Sequence, residues 1–135
     1  CKLTNTQKET QKSDKEYPGL GIKFKNILYT FIRRKNKEIF HTAEYEPEYL
    51  IGACQMIRRE ALEMTGLLDE NIFYGPEDAD FCIRVRNNGF KIVYLPQFSI
   101  IHHWKRVTNR KIFSKLACRH IQALLYFYKK HHRYL

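Results

Sequence analysis

Several features are scarce in this 135-residue sequence, and each scarcity removes a class of protein. No apolar run is long enough to cross a bilayer as a helix, so a spanning segment is not expected. Nothing at the start has the pattern of a signal peptide. The four cysteines, Cys1, Cys54, Cys82 and Cys118, are widely spaced and form no CxxC pair. That spacing argues against a disulfide framework or a structural zinc site and fits a reducing compartment. Acids are missing altogether from residues 101–135, which hold nine Lys/Arg.

What is present suffices for a core. Hydrophobic residues make up 44% of the chain, including nine Tyr, nine Phe and one Trp. This composition disfavours a disordered, collagen-like or coiled-coil chain. The net charge of +10 is uneven: residues 1–40 carry +6, residues 41–100 carry −5 and residues 101–135 carry +9. A protein built only to coat nucleic acid has no need of ten carboxylates in its middle, so no nucleic-acid partner is expected. A site that handles a cation or a proton can use them. The first residue is Cys1 rather than Met, and the chain is read as a segment of a longer protein.

Along the chain, residues 1–16 are almost without apolar content and read as a flexible linker. Leu20, Phe24, Ile27, Leu28 and Phe31 fall on one face of a helix, closed by the cations Arg33 to Lys37. Residues 49–57 form an apolar run suited to a buried strand, on which Gly52 and Ala53 leave room for another backbone or a ligand. A short helix over 58–65 stops at Gly66. A loop follows to Pro76, then a helix over 77–88 ending at Gly89. Strands are expected at 90–95 and 98–102. A basic amphipathic helix occupies 108–135, its core near 110–130, with Ile112, Phe113, Leu116, Ile121, Leu124 and Leu125 as its apolar stripe. Strands alternating with helices point to an α/β layer structure. Three visible strands are few for a sheet that stands alone, so the chain reads as the second part of a larger domain.

Residues 75–90 are the centre of chemical interest. Glu77, Asp78 and Asp80 sit in the first turn of the predicted helix. Acids there satisfy free N–H groups and complement the helix dipole, and Asp80 and Arg84 are an i,i+4 pair. The sharper reading is that one carboxylate faces a cleft as a general base, held rigidly by a helix start behind a Gly-Pro loop. His102 and His103 follow an apolar strand, where a histidine can be a metal ligand or a phosphate contact.

Taken together, Gly52-Ala53, Arg58-Arg59-Glu60, the turn from Gly66 to Glu70, Glu77-Asp78-Ala79-Asp80 with Arg84, the segment from Gly89 to Pro96, and His102 resemble one family. The string is similar to family-2 inverting glycosyltransferases of the GT-A fold, and among them to rhamnosyltransferase-like members that build bacterial surface polysaccharides. The likeness is densest over residues 49–103. It implies that residues 17–107 are the acceptor-side half of a partial, Rossmann-like GT-A domain. The half of the family that binds the nucleotide-sugar and carries the metal-binding DXD motif is not in this sequence. Asp78-Ala79-Asp80 is formally a DXD, but it opens a helix rather than following a hydrophobic strand, and it matches the acceptor-side ED motif.

The resemblance assigns roles. Asp78 is the catalytic base that deprotonates the acceptor hydroxyl, and Glu77 orients the site. Gly52, Ala53, Asp80 and Arg84 contribute to substrate binding. His102, with His103 as the alternative, helps hold a divalent Mg or Mn ion or the diphosphate. The implied partners are a nucleotide-sugar donor and a glycan or lipid-linked acceptor, and the implied location is the cytoplasmic face of the cell membrane. The sequence departs from the family pattern at Pro76 and at Trp104-Lys105-Arg106. A basic module that binds nucleic acid or a membrane surface without catalysis is the competing reading. A plain interaction domain whose acids are only helix caps is a third reading, and it would let an Asp78→Asn change alter stability but not activity.

Overall fold

The computed structural model describes residues 1–19, 41–73, 75–103 and 115–132. The expected helix at 20–31, Trp104-Lys105-Arg106, and Ile112 and Phe113 of the apolar stripe lie outside the described residues.

The segment read as a linker forms strands instead. β1 (Lys2–Thr4) pairs antiparallel with β2 (Thr10–Gln11) and parallel with β5 (Ser99–Ile101), giving a three-stranded mixed sheet in the order β2-β1-β5. Its reversal is built by Asn5, whose side-chain Oδ1 accepts the N–H groups of Gln7 and Glu9, each at 2.9 Å. An Asx side chain bonding the backbone two residues on is a turn in its own right. Leu3 is the one apolar anchor of this strand, and it is buried. Polar residues populate both strands because only one face of so small a sheet is covered, which is why composition pointed to a linker.

β3 (Asp14–Lys15) pairs antiparallel with β4 (Tyr49–Leu50). The strand expected over 49–57 therefore stops at Leu50. Beyond it the chain turns: the Gln55 side chain donates to the Leu50 carbonyl at 2.7 Å, and Met56 is fully exposed. The strand expected over 90–95 is reduced to a single bridge between Tyr45 and Tyr94, although Ile92 and Tyr94 are buried.

The helices follow the sequence pattern more closely. α1 (Arg59–Thr65) ends at Gly66, whose φ of 80° suits glycine and whose N–H donates to Leu62 O at 2.8 Å. α2 (Glu77–Asn87) is the central helix, burying Ala79, Asp80, Phe81, Cys82, Ile83 and Val85. α3 (Lys115–Lys130) buries Ala123 and Phe127. The core joins Tyr49 and Leu50 of β4, the apolar side of α2, Ile92 and Tyr94, and these two residues of α3.

The register of α3 differs from the expected stripe. Ile121 and Leu125 are 56% and 63% exposed, whereas Ala123 and Phe127 are inside, and His131 just past the helix is buried with them. A helix turns about 100° per residue, so a face centred on 123, 127 and 131 points Ile121 and Leu125 outward. The architecture is mixed α/β, with two small sheets and three described helices. Among the described residues no helix is long and apolar enough to cross a membrane.

Candidate functional site

Two backbone features meet at the start of α2. β4 ends and the chain turns outward at Gly52, and α2 begins behind Gly75 and Pro76 with Glu77 and Asp78 as its first residues. The Asp78 carboxylate bridges them. Its Oδ2 accepts the Gly52 N–H at 3.3 Å, and its Oδ1 accepts the Ala79 N–H at 2.8 Å. Glu77 turns the other way and accepts the Gly75 N–H at 3.0 Å, closing the loop that leads into the helix. Gly52 and Asp78 are thus brought together across 26 residues of sequence.

The Asp78 carboxyl is pushed up to about 6, first by burial and then by the neighbouring Glu77 charge. The Ala79 N–H, Lys15 and the Gly52 N–H oppose the rise without cancelling it. The space beside Gly52 is open: a Cβ built there meets nothing within 4 Å. Ala53 is exposed next to it. A carboxylate poised near neutral pH beside an open backbone turn can take a proton from a hydroxyl that enters that space.

Asp80 and Arg84 sit elsewhere. Residues two apart on a helix point about 200° from one another, so Asp80 faces away from Asp78. Asp80 is completely buried. Its Oδ2 takes the Arg84 Nε at 2.8 Å, and its Oδ1 takes the Lys130 Nζ at 2.8 Å and the His131 Nε2 at 2.7 Å. Burial raises the Asp80 carboxyl, but the bonds from Lys130, His131 and Arg84 outweigh it and hold it below the usual range. Arg84 also donates to the carbonyls of Thr65 at 2.7 Å and Leu67 at 2.9 Å. The polar atoms of these two residues, expected to contribute to substrate binding, are engaged within the protein. The same geometry separates the two carboxylates of Asp78-Ala79-Asp80, which do not form a chelating pair.

His102 directly follows β5, and its N–H donates to Thr4 O at 2.8 Å. The Gln11 side chain grips it twice. Gln11 Nε2 donates to the His102 carbonyl at 3.2 Å, and Gln11 Oε1 lies 3.0 Å from Nδ1. An amide oxygen only accepts, so in this contact Nδ1–H donates to Gln11 Oε1. His103 is exposed. Among the described residues no group of three or more His, Cys, Asp or Glu converges to hold a metal ion.

Sequence reasoning found the Asp80–Arg84 pair but missed Lys130 and His131, which complete the cluster around Asp80. Asp69 joins it, its Oδ2 accepting from Lys130 Nζ at 2.6 Å and from the Tyr126 hydroxyl at 3.0 Å. The available signal was Asp80 itself, which falls between Ala79 and Ile83 on the apolar side of α2. A carboxylate there requires cations from another element.

Comparison with known proteins adds a relationship. Over 95 residues, 70% of its length, the chain is 30% identical to N-acetylglucosaminyl-diphospho-decaprenol L-rhamnosyltransferase of Mycobacterium tuberculosis, in two strains, and covers 31% of that protein. Over 90 residues it is 28% identical to dTDP-rhamnosyl transferase RfbF of Shigella flexneri, covering 64% of this chain and 27% of the relative. No family model and no solved structure matches. The chain thus spans less than a third of the length of the curated relatives it matches, and across that span its relationship is glycosyltransferase-like, to enzymes named as rhamnosyltransferases.

Proposed function

We propose that this chain is the acceptor-side part of an inverting, nucleotide-sugar-dependent glycosyltransferase of the GT-A, family-2 type, acting in bacterial surface polysaccharide synthesis. The observation that carries the reading is the placement of Asp78. Its carboxylate lies at a helix start, bonded to the Gly52 turn, with open space beside that turn. The relationship to rhamnosyltransferases supports the reaction class.

In the proposed step an acceptor hydroxyl enters beside Gly52 and Ala53. An Asp78 carboxylate oxygen takes its proton. The hydroxyl oxygen forms a bond to the anomeric carbon of the donor from the face opposite the diphosphate. The bond from that carbon to the diphosphate oxygen breaks, and the electron pair leaves with the nucleoside diphosphate. Glu77 fixes the loop before the helix and its charge helps keep Asp78 basic. A divalent Mg or Mn ion belongs to the proposal as a partner of the diphosphate, and His102 is the described residue offered to it.

The donor of first choice is dTDP-rhamnose, from the name of one relative, and the acceptor class is a glycan or lipid-linked sugar, from the name of the other. The outward side of α3 carries Ile121 and Leu125 among Lys115, Arg119 and Lys129, which supports contact with an anionic membrane surface on the cytoplasmic side. The test uses the complete protein with dTDP-rhamnose and an N-acetylglucosaminyl-diphospho-polyprenol. Wild type should form a glycosidic bond of inverted anomeric configuration, read by NMR. A retained configuration, or no transfer from any nucleotide-sugar, would remove the proposal.

A further inference from the structure

α3 touches the loop and helix that present Asp78 at several places along its length. A Cβ on Gly75 would lie 2.8 Å from His120 Nδ1 and 3.7 Å from the Ala123 Cβ, so the loop before α2 is pressed onto α3. One turn further along α3, Phe127 fills the core. At its end, Lys130 and the following His131 reach Asp80, two residues beyond Asp78. Lys130 also reaches Asp69, in the loop after α1. Arg84 completes the set by joining Asp80 to the carbonyls of Thr65 and Leu67.

We infer that Asp80, held by Lys130 and His131, is a positioning residue: it pins the first turns of α2 to α3 and so fixes the Asp78 carboxylate against the Gly52 turn. A helix start is rigid only if something outside it fixes its rotation about its axis. Asp80 lies on the opposite side from Asp78, so a rotation that frees Asp80 from Lys130 also lifts Asp78 from Gly52. Two carboxylates of one turn thereby have separate duties, one facing the acceptor and one facing the scaffold. The inference rests on the reading of Asp78 as base.

The test measures kcat, KM and the pH dependence of kcat/KM in the complete protein for Lys130→Met, Lys130→Arg, Asp80→Asn and Asp78→Asn. Around Asp78 the charged and titratable groups are Glu77 and Cys82 on its own helix, Lys15 of β3 and Tyr49 of β4. Around Asp80 they are Arg84, Lys130 and His131, with Asp69 behind Lys130. Lys130→Met should lower kcat at least tenfold with KM changed less than threefold, and Lys130→Arg should restore it to within threefold. The acid limb of the profile should move to lower pH, because a loosened Asp78 leaves its buried turn for water. Simple removal of a positive charge would move that limb the other way, so the direction separates repositioning from direct electrostatics. Lys130 is partly exposed and its variant covers the case in which Asp80→Asn does not fold. Unchanged kcat per folded molecule and an unmoved limb in Lys130→Met, with Asp78→Asn inactive, would overturn the positioning role and leave the base standing. Full turnover in Asp78→Asn would remove the base, and this inference with it.

Discussion

Asp78 is costly to the fold in its ionised form, and that cost has a sign. Its carboxyl is raised to about 6 in the folded protein by burial and by Glu77, against about 4 for an unfolded aspartate. A raised acid destabilises the native state as pH climbs from the unfolded value through the folded one. Asp78→Asn should therefore stabilise the protein at pH 8 by on the order of 2 kcal/mol, since a tenfold change in a proton affinity corresponds to about 1.4 kcal/mol. At pH 3.5 the two proteins should unfold alike. Chemical denaturation at the two pH values checks this, and equal stability at pH 8 would mean that the carboxylate is not strained there. Sequence alone places Asp78 at a solvated helix start worth at most about 1 kcal/mol. It shows neither the burial nor the bond from Gly52, because both depend on a partner 26 residues away.

The buried ion cluster makes α3 part of the scaffold of α2. Removing the Asp80 side chain as Asp80→Ala leaves Arg84, Lys130 and His131 facing an empty site, and loss of one partner from a buried set costs about 3–5 kcal/mol. Phe127→Ala, at a fully buried position, should cost a similar amount, about 3–5 kcal/mol. Thermal or urea unfolding reads both, and a loss under 1 kcal/mol in either would show that α3 does not stabilise the core. The pH dependence has two edges. Asp80 and Asp69 titrate below the usual range, so their contribution is complete above about pH 4 and fades as pH falls below it. Lys130 is raised by Asp69 and Asp80 over the opposing effect of burial, so its contribution holds below about pH 10 and fades above. Lys130→Met should blunt both edges. Elements with strong local signals were legible in the sequence: α1 stops at Gly66, and α2 runs from the acid turn nearly to Gly89. The face of α3 was not, because Ile121 and Leu125 promise burial while the buried residues are Phe127, a small Ala123 and a polar His131.

At the scale of the molecule, the described surface includes an open turn at Gly52 and a basic, partly apolar outer side of α3. If that side meets an anionic membrane, the complete protein should bind anionic vesicles in low salt and release them in high salt. Replacing Lys115, Arg119 and Lys129 with Gln should weaken binding about 100-fold, at roughly 1 kcal/mol for each cation near the surface. Equal binding to neutral vesicles would exclude the electrostatic part. The α/β class was legible from the alternation of elements, and the stretch around residues 49–103 carried the resemblance. The three-stranded sheet was not legible, because β1 and β2 are short, polar and completed by β5 from the far end of the chain. The most direct test of the central claim is the pH profile of kcat/KM for sugar transfer by the complete protein, beside that of Asp78→Asn. With Asp78 as base, wild-type activity should fall below an apparent pKa near 6, and Asp78→Asn should lose about 100-fold or more and show no such limb. A wild-type limb below pH 4.5, or an Asp78→Asn profile that overlays wild type, would contradict it.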